Sequence, residues 1–356
     1  MDKINLMVSA SKKGKGGIAT VVNVYEKEGF FERWNINYIA TAGSASKLIK
    51  FILFLISLGK LITLISFKHV GLIHINMSSR GSYIRKSLIL RFAKFFGVKA
   101  IIHLHSGEFD KFYNKECSER KKQHIRATFN MADKVIVLSS LWLEWINTIV
   151  KDKTKTCIVY NAVKEIDLPK KKLNKCIILF LGKLGQGKGV EDLINAFANI
   201  AEKFPEVELH LGGEGDLIKY QAQAKVLGID DKVVFLGWVT GNKKNQCLAN
   251  ATIYCLPSYY EGFPMGILEA MAAEVAVVSS TVGGIPDAIE NGKEGILIEP
   301  GNVDALTVAI STMLEDNELR TQYVNAAKSK FLRNFSPSII IPQLNSIYKE
   351  LLEQKQ

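Results

Sequence analysis

Two glutamates with seven residues between them, Glu261 and Glu269, lie in residues 258–301, SYYEGFPMGILEAMAAEVAVVSSTVGGIPDAIENGKEGILIEPG. A short apolar run at 252–257 precedes them and reads as a strand. Tyr259-Tyr260-Glu261-Gly262-Phe263-Pro264 is turn-prone, and Pro264, with its fixed φ and no N–H, suits the first position of a helix. Ile267, Leu268 and Met271 then recur with helical period among Ala270, Ala272 and Ala273. Glu261 is therefore expected in a loop at a strand's carboxyl end, and Glu269 about two turns into the following helix. The free N–H groups of that helix start suit an anion such as a pyrophosphate. A carboxylate on each side accepts hydrogen bonds from hydroxyls. Phosphates and hydroxyls on one ligand describe a nucleotide sugar.

The arrangement of Glu261-x7-Glu269 inside PSYYEGFPMGILEAMA, followed by Gly283-Gly284-Ile285-Pro286, closely resembles the donor-site signature of glycosyltransferase family 4. A bare pair of glutamates carries little, because any helix supplies carboxylates at such spacings. The strand, loop, helix and Gly-Gly context carries the resemblance, which extends over nearly the whole chain and is denser in its second half. It implies retaining enzymes of the GT-B fold: two Rossmann-like, doubly wound parallel-sheet α/β domains facing across a cleft, with a C-terminal helix returning to the first. Residues 1–164, with 337–356 packing back, would bind the acceptor. Residues 170–336 would bind the nucleotide-sugar donor. The segment VYNAVKEIDLPKKKLNKC reads as the linker.

The resemblance also assigns residues. Lys183-x4-Lys188, in a glycine-rich turn after the strand 176–181, resembles the basic pair that grips the donor diphosphate. The family more often has arginine first, and lysine keeps the charge but loses the bidentate fork. His105, in IIHLHSGEFD, matches the family's histidine at the end of the fourth strand, a contact to the donor sugar; His103 and His74 read as structural. Gly16 and Gly17, in the loop GKGG after the first strand, match a glycine pair facing the donor and the acceptor. Catalytic roles thus fall to His105, Lys183, Lys188 and Glu261. Donor binding falls to Gly16, Gly17, Gly262, Phe263, Met265, Gly266, Ile267 and Glu269, the last holding the ribose hydroxyls. Residues 237–239 resemble the loop that holds the base, where Trp238 either stacks or packs. Glu108 and Asp110 fall on the acceptor side. Arg80 and Arg85, in SSRGSYIRK, fit either an anionic acceptor or a solvated basic face. Asn161-Ala162-Val163-Lys164 departs from the family's N-G-V-D, so Asn161 carries no role.

These residues need rigid elements behind them. Strand-like runs at 4–9, 72–76, 100–105, 134–138 and 157–160 alternate with helical stretches, including 18–31. The same alternation recurs at 176–181, 207–213, 233–239, 252–257 and 275–280, and the chain ends in a helix at 337–352. Strands separated in this way form βαβ units and a parallel sheet, which binds ligands at the carboxyl ends of its strands.

Composition bounds the rest. The chain has 356 residues, 47% hydrophobic and 23% charged, which suits two globular domains. Its five scattered cysteines, without a C-x-x-C, read as reduced cytoplasmic thiols, and no signal peptide is visible. Residues 1–170 hold 28 Lys and Arg against 13 Asp and Glu, whereas the remainder holds 18 against 22. Such a basic half suits an anionic membrane leaflet better than nucleic acid, for which no recognition motif is present. The apolar segment 48–67 is expected as a helix buried on its neighbours, with Lys50, Ser57 and Lys60 on a narrow polar strip. The competing expectation is a helix in the membrane interface.

Breaking a sugar–phosphate bond develops negative charge on the departing diphosphate. Lys183, Lys188 and the helix start supply the opposite sign. No metal or cofactor is expected, and no strict D-x-D is present. With no compelling nucleophile, front-face attack is the expected route. The expected activity is transfer from a UDP- or GDP-sugar to a lipid-linked saccharide of a surface polysaccharide, by a protein at the cytoplasmic face of the membrane. The rivals are an inactive nucleotide-sugar-binding scaffold, another enzyme on the same fold, and a nucleic-acid-binding protein.

Overall fold

The computed structural model describes residues 3–14, 16–43, 47–166 and 175–353, the Lys47 side chain excepted. Lys15 of the glycine loop and residues 167–174 of the expected linker lie outside them. The chain divides into two compact units, Met1–Ala162 with Pro337–Gln356, and Val163–Ser336.

In unit 1 the strands are β1 (Ile4–Ser9), β2 (Ile36–Ala40), β3 (Val70–Met77), β4 (Lys99–Leu104), β5 (Lys134–Val137) and β6 (Thr156–Ile158). They form one parallel sheet in the order β2-β1-β3-β4-β5-β6. The direction of winding reverses between β1 and β3, and there the loops at the carboxyl ends diverge. Leu6, Val8, Ile73, Ile75, Ile102 and Leu104 alternate onto one face and form a core with Phe54, Leu61, Tyr83, Ile89 and Leu90 from the covering helices. The opposite face is polar although buried, with Ser9, His74, Asn76 and His103 all fully covered. The final helix, Pro337–Glu353, helps to cover it. Tyr348 Oη lies 3.0 Å from His74 Nδ1, and Trp34 Nε1 donates to Asn345 Oδ1 at 2.7 Å. The C-terminal helix thus returns to the first domain.

In unit 2, β7 (Cys176–Leu181), β8 (Val207–Gly212), β9 (Val233–Gly237), β10 (Ile253–Leu256), β11 (Ala276–Ser280) and β12 (Ile296–Ile298) form a second parallel sheet, ordered β12-β11-β10-β7-β8-β9. This is the Rossmann order, with the winding reversed between β7 and β10.

Three expectations are corrected. Residues 18–31 are not one helix: Gly29, at φ 74°, ends the helix Gly17–Lys27 and admits a short helix Phe30–Arg33. The edge strands β2 and β12 were not anticipated; each has one neighbour and weak alternation to betray it. The helix Lys47–Phe67 is not a buried core helix. It packs Phe54, Leu61 and Ile65 inward while Leu48, Ile52, Ile56 and Phe67 stay 47% to 77% exposed. Ser57 lies on the inward face, donating to Phe54 O at 2.8 Å, rather than on an outer strip with Lys50 and Lys60.

Candidate active site

The reversal between β7 and β10 brings two loops together at the strand ends, residues 182–189 and 257–264. Their backbones touch. Tyr259 N donates to Gly187 O at 3.1 Å, and a Cβ on Gly189, whose φ is 66°, would stand 2.0 Å from Pro257 O. Only glycine permits that approach. Lys188 Nζ consequently meets Glu261 Oε1 at 2.5 Å, and Ser258 Oγ donates to the same oxygen at 2.8 Å. From below, Gly284 N donates to Gly262 O at 3.0 Å. Gly283, at φ 57°, leaves 1.9 Å between Glu261 O and the place a Cβ would take. The Gly-Gly-Ile-Pro motif is therefore a backbone cradle for the glutamate loop.

The helix that follows runs Met265–Ala272, with Pro264 as its N-cap rather than its first residue and no side chain capping the first turn. A Cβ on Gly266 would collide with Tyr254 Oη, which donates to Leu181 O at 3.1 Å, so this glycine seats the helix start on the strand ends. Glu269 is the fifth helical residue, a little over one turn in and not two. It is buried and paired with Lys244 Nζ at 2.5 Å. Lys244, on the helix Gly241–Asn250, gave no signal in the sequence. Ile267 is fully buried and Phe263 packs on Phe335 with ring centroids 5.4 Å apart. Their side chains are core, and what they can offer a ligand is backbone N–H. Gly262, Met265 and Gly266 are partly exposed. Lys183 is exposed and makes no ion pair among the described residues. Trp238, just past β9, is 40% exposed. The assembled group is thus Lys188, Glu261 and the open helix start. It offers a cation, a carboxylate and several N–H donors at the carboxyl end of a parallel sheet, which suits an anion joined to a hydroxylated group.

In unit 1, Gly16 and Gly17 open the helix after β1, Gly16 with φ 147°. His105 follows β4. Its backbone N donates to Met77 O at 2.7 Å, and its Nε2 lies 3.0 Å from Asn76 Oδ1. Asn76 Oδ1 only accepts, so Nε2 carries the proton and Nδ1 is left as an acceptor. His103 lies beside it with ring centroids 4.1 Å apart and the planes tilted by 35°, and His103 Nδ1 lies 3.2 Å from His74 Nε2. Burial, with a smaller push from His74 and Lys86, lowers the His105 pKa to about 3, so its ring is neutral near pH 7. Asn76 Nδ2 and His103 Nε2 are buried with no hydrogen-bond partner among the described residues.

The family described as Glycosyl transferases group 1 matches residues 163–330. An uncharacterized glycosyltransferase of Methanocaldococcus jannaschii is 30% identical over 269 residues, 70% of this chain and 69% of that protein. A phosphatidyl-myo-inositol mannosyltransferase of Mycobacterium leprae is 32% identical over 174 residues, 48% of this chain and 46% of its own. Among solved structures, sucrose-phosphate synthase from Thermosynechococcus elongatus aligns over 99% of this chain and 100% of its own, with TM-score 0.85 and 18% identity. The Anabaena protein HepE, solved in complex with UDP and glucose, aligns over 98% and 100%, with TM-score 0.78 and 19% identity. At such identities the structural likeness establishes the fold, two Rossmann-like α/β domains. The sequence likeness establishes the family: this chain belongs to the group 1 glycosyltransferases.

Proposed function

We propose that this glycosyltransferase is a retaining, metal-independent enzyme that moves a sugar from a UDP- or GDP-sugar to a lipid-linked saccharide acceptor, at the cytoplasmic surface of a membrane, in the building of a surface polysaccharide. The observation that carries the donor half is the convergence of Lys188, Glu261 and the uncapped helix start at the β7–β10 reversal. In this reading Lys188 and Lys183 meet the diphosphate and stabilise the charge it gains as the sugar leaves. Because Lys188 and Glu261 form one ion pair, phosphate binding by the first and sugar-hydroxyl binding by the second are coupled. Glu269, steadied by Lys244, takes the ribose hydroxyls. His105, Gly16 and Gly17 keep the donor-side roles that the resemblance implies. The Anabaena neighbour holds UDP and glucose, which supports a nucleotide-sugar donor. The mycobacterial relative is named for a lipid acceptor, and the exposed apolar helix of unit 1 supports a membrane setting.

The test is donor binding and hydrolysis with purified protein against UDP-, GDP-, ADP- and dTDP-sugars, with and without chelator, alongside Glu269→Ala. Saturable binding of one donor, indifferent to chelator and weakened by the substitution, is the expected result. No binding of any nucleotide sugar would overturn the reading, and saturable binding without hydrolysis or transfer would favour the inactive scaffold.

A further inference from the structure

The start of the helix Gly81–Phe95, just after β3, carries more positive charge than its surroundings neutralise. Lys86 is 2% exposed, and its ammonium donates to Ser82 Oγ at 3.0 Å; no carboxylate pairs with it among the described residues. A buried ammonium with only a hydroxyl for company retains a large desolvation penalty. Arg85 folds its guanidinium back over its own helix start, with Nη1 3.4 Å from the place a Cβ of Gly81 would take. Its buried Nε has no hydrogen-bond partner, and it too makes no ion pair among the described residues. That start is the positive end of the helix, and no side chain caps it. Two basic side chains and a helix N-terminus therefore converge, and burial with a smaller push from Arg85 lowers the Lys86 pKa to about 7, so part of its charge is lost near neutral pH unless an anion restores it.

The neighbouring residues sharpen the picture. Arg80, by contrast, is neutralised: Nε and Nη2 reach the two Glu116 oxygens, and Nη1 lies 3.4 Å from Glu108 Oε2. Arg80 also holds φ 55° and ψ −125°, a costly backbone for any residue but glycine, at the turn that aims the helix start. Ser82 Oγ accepts from Ser78 N at 3.2 Å as well as from Lys86, which leaves its own proton to donate elsewhere. A guanidinium fork, an ammonium, a hydroxyl and open N–H groups together form a donor set for a tetrahedral dianion.

We propose that Ser82, Arg85, Lys86 and the start of the helix Gly81–Phe95 bind a phosphoryl group, and that this phosphate belongs to the acceptor. The second half rests on the glycosyltransferase reading above; the first half does not. A lipid-linked diphosphate and free inorganic phosphate share this chemistry.

The experiment titrates the full chain, saturated with UDP to occupy any diphosphate site in unit 2, with inorganic phosphate, pyrophosphate and farnesyl diphosphate. Calorimetry and thermal melting at matched ionic strength follow the wild type, Arg85→Gln and Lys86→Met. Pyrophosphate is expected to raise the wild-type melting temperature and bind at least about tenfold less tightly to either variant. Lys86→Met alone is expected to melt no lower than the wild type, because it removes a buried amine that has no carboxylate partner among the described residues. A Lys86→Met protein that melts lower yet binds the anion as well would overturn the site and make Lys86 a packing residue. Farnesyl diphosphate binding more tightly than inorganic phosphate supports the acceptor assignment; the reverse order sinks it. Absence of UDP binding would count against the donor reading alone, since the anion is read from the difference between wild type and variants.

Discussion

At the scale of single residues, the legible part of the site is the part that is local in the chain. Glu261, Glu269 and the Gly283-Gly284 pair lie within one short segment, so their pattern survives in the sequence. Lys244 and Asn76 do not show there, because each acts on a partner that another element delivers. Lys244 is the sharper case. It comes from the helix Gly241–Asn250 and lies 2.5 Å from Glu269, whose side chain is 9% exposed. Lys244→Met leaves that carboxylate covered and unpaired, at a cost of about 1–3 kcal/mol. Urea unfolding should show the loss, and calorimetry should show weaker UDP-sugar binding as Glu269 seeks water. Unchanged donor affinity would separate Glu269 from the ribose. The histidines give a second expectation at this scale. Burial lowers His74 and His105 from 6.5 to about 3, and burial with the neighbouring His105 and His74 holds His103 well below 6.5. As pH falls below about 6.5 the unfolded chain gains protons that the folded chain refuses, so stability is lost on acidification. Each ring contributes up to about 1.4 kcal/mol per pH unit while its folded form stays neutral. His103→Gln should flatten the slope of melting temperature against pH between about 6 and 4; an unchanged slope would mean the ring titrates normally.

At the scale of elements, the parallel strands were readable because buried βαβ strands are short apolar runs between helices. What stayed hidden was anything set by neighbours. The apolar run 48–67 announces a helix but not which face is covered, since both faces are apolar and only one meets β2 and its neighbours. The glycines of the second unit show the same contrast in a testable way. Gly228 and Gly283 both hold positive φ, 68° and 57°, yet nothing lies within 4 Å of a Cβ at Gly228, whereas Glu261 O would be met at Gly283. Gly228→Ala should cost only the backbone strain, about 1–2 kcal/mol. Gly283→Ala adds a collision that must shift the glutamate loop, so a larger loss of about 2–4 kcal/mol is expected, together with loss of donor binding. Equal effects of the two substitutions in melting and in calorimetry would mean that the cradle does not position Glu261.

At the scale of the whole molecule, charge and apolar surface fall in the same part of the chain. Residues 33–107 contain 11 Lys and Arg and no Asp or Glu. The same stretch contributes the exposed apolar side chains of two helices that pack on each other, among them Phe51, Ile52 and Ile56 from one and Ile84, Leu88 and Phe95 from the other. A helix that covers the core with one face has no structural need for isoleucine and phenylalanine on the other, and water opposes it. An anionic bilayer interface satisfies both properties. Each basic residue near the surface contributes about 1 kcal/mol, and each large apolar side chain taken fully out of water about 1.5–3 kcal/mol. Because the two contributions respond differently, vesicle flotation can separate them. Wild-type protein should float with phosphatidylglycerol vesicles and much less with phosphatidylcholine, and salt should release only part of it. Ile52→Glu with Ile56→Glu removes a large part of the apolar contribution without touching the core face formed by Phe54, Leu61 and Ile65, so the doubly substituted protein should stay folded and be released by salt to a clearly greater extent than the wild type. If it instead floats as the wild type does, the helix is not inserted. The exposed apolar face would then belong to a protein contact, and the membrane part of the proposed function would fall while the donor site stood.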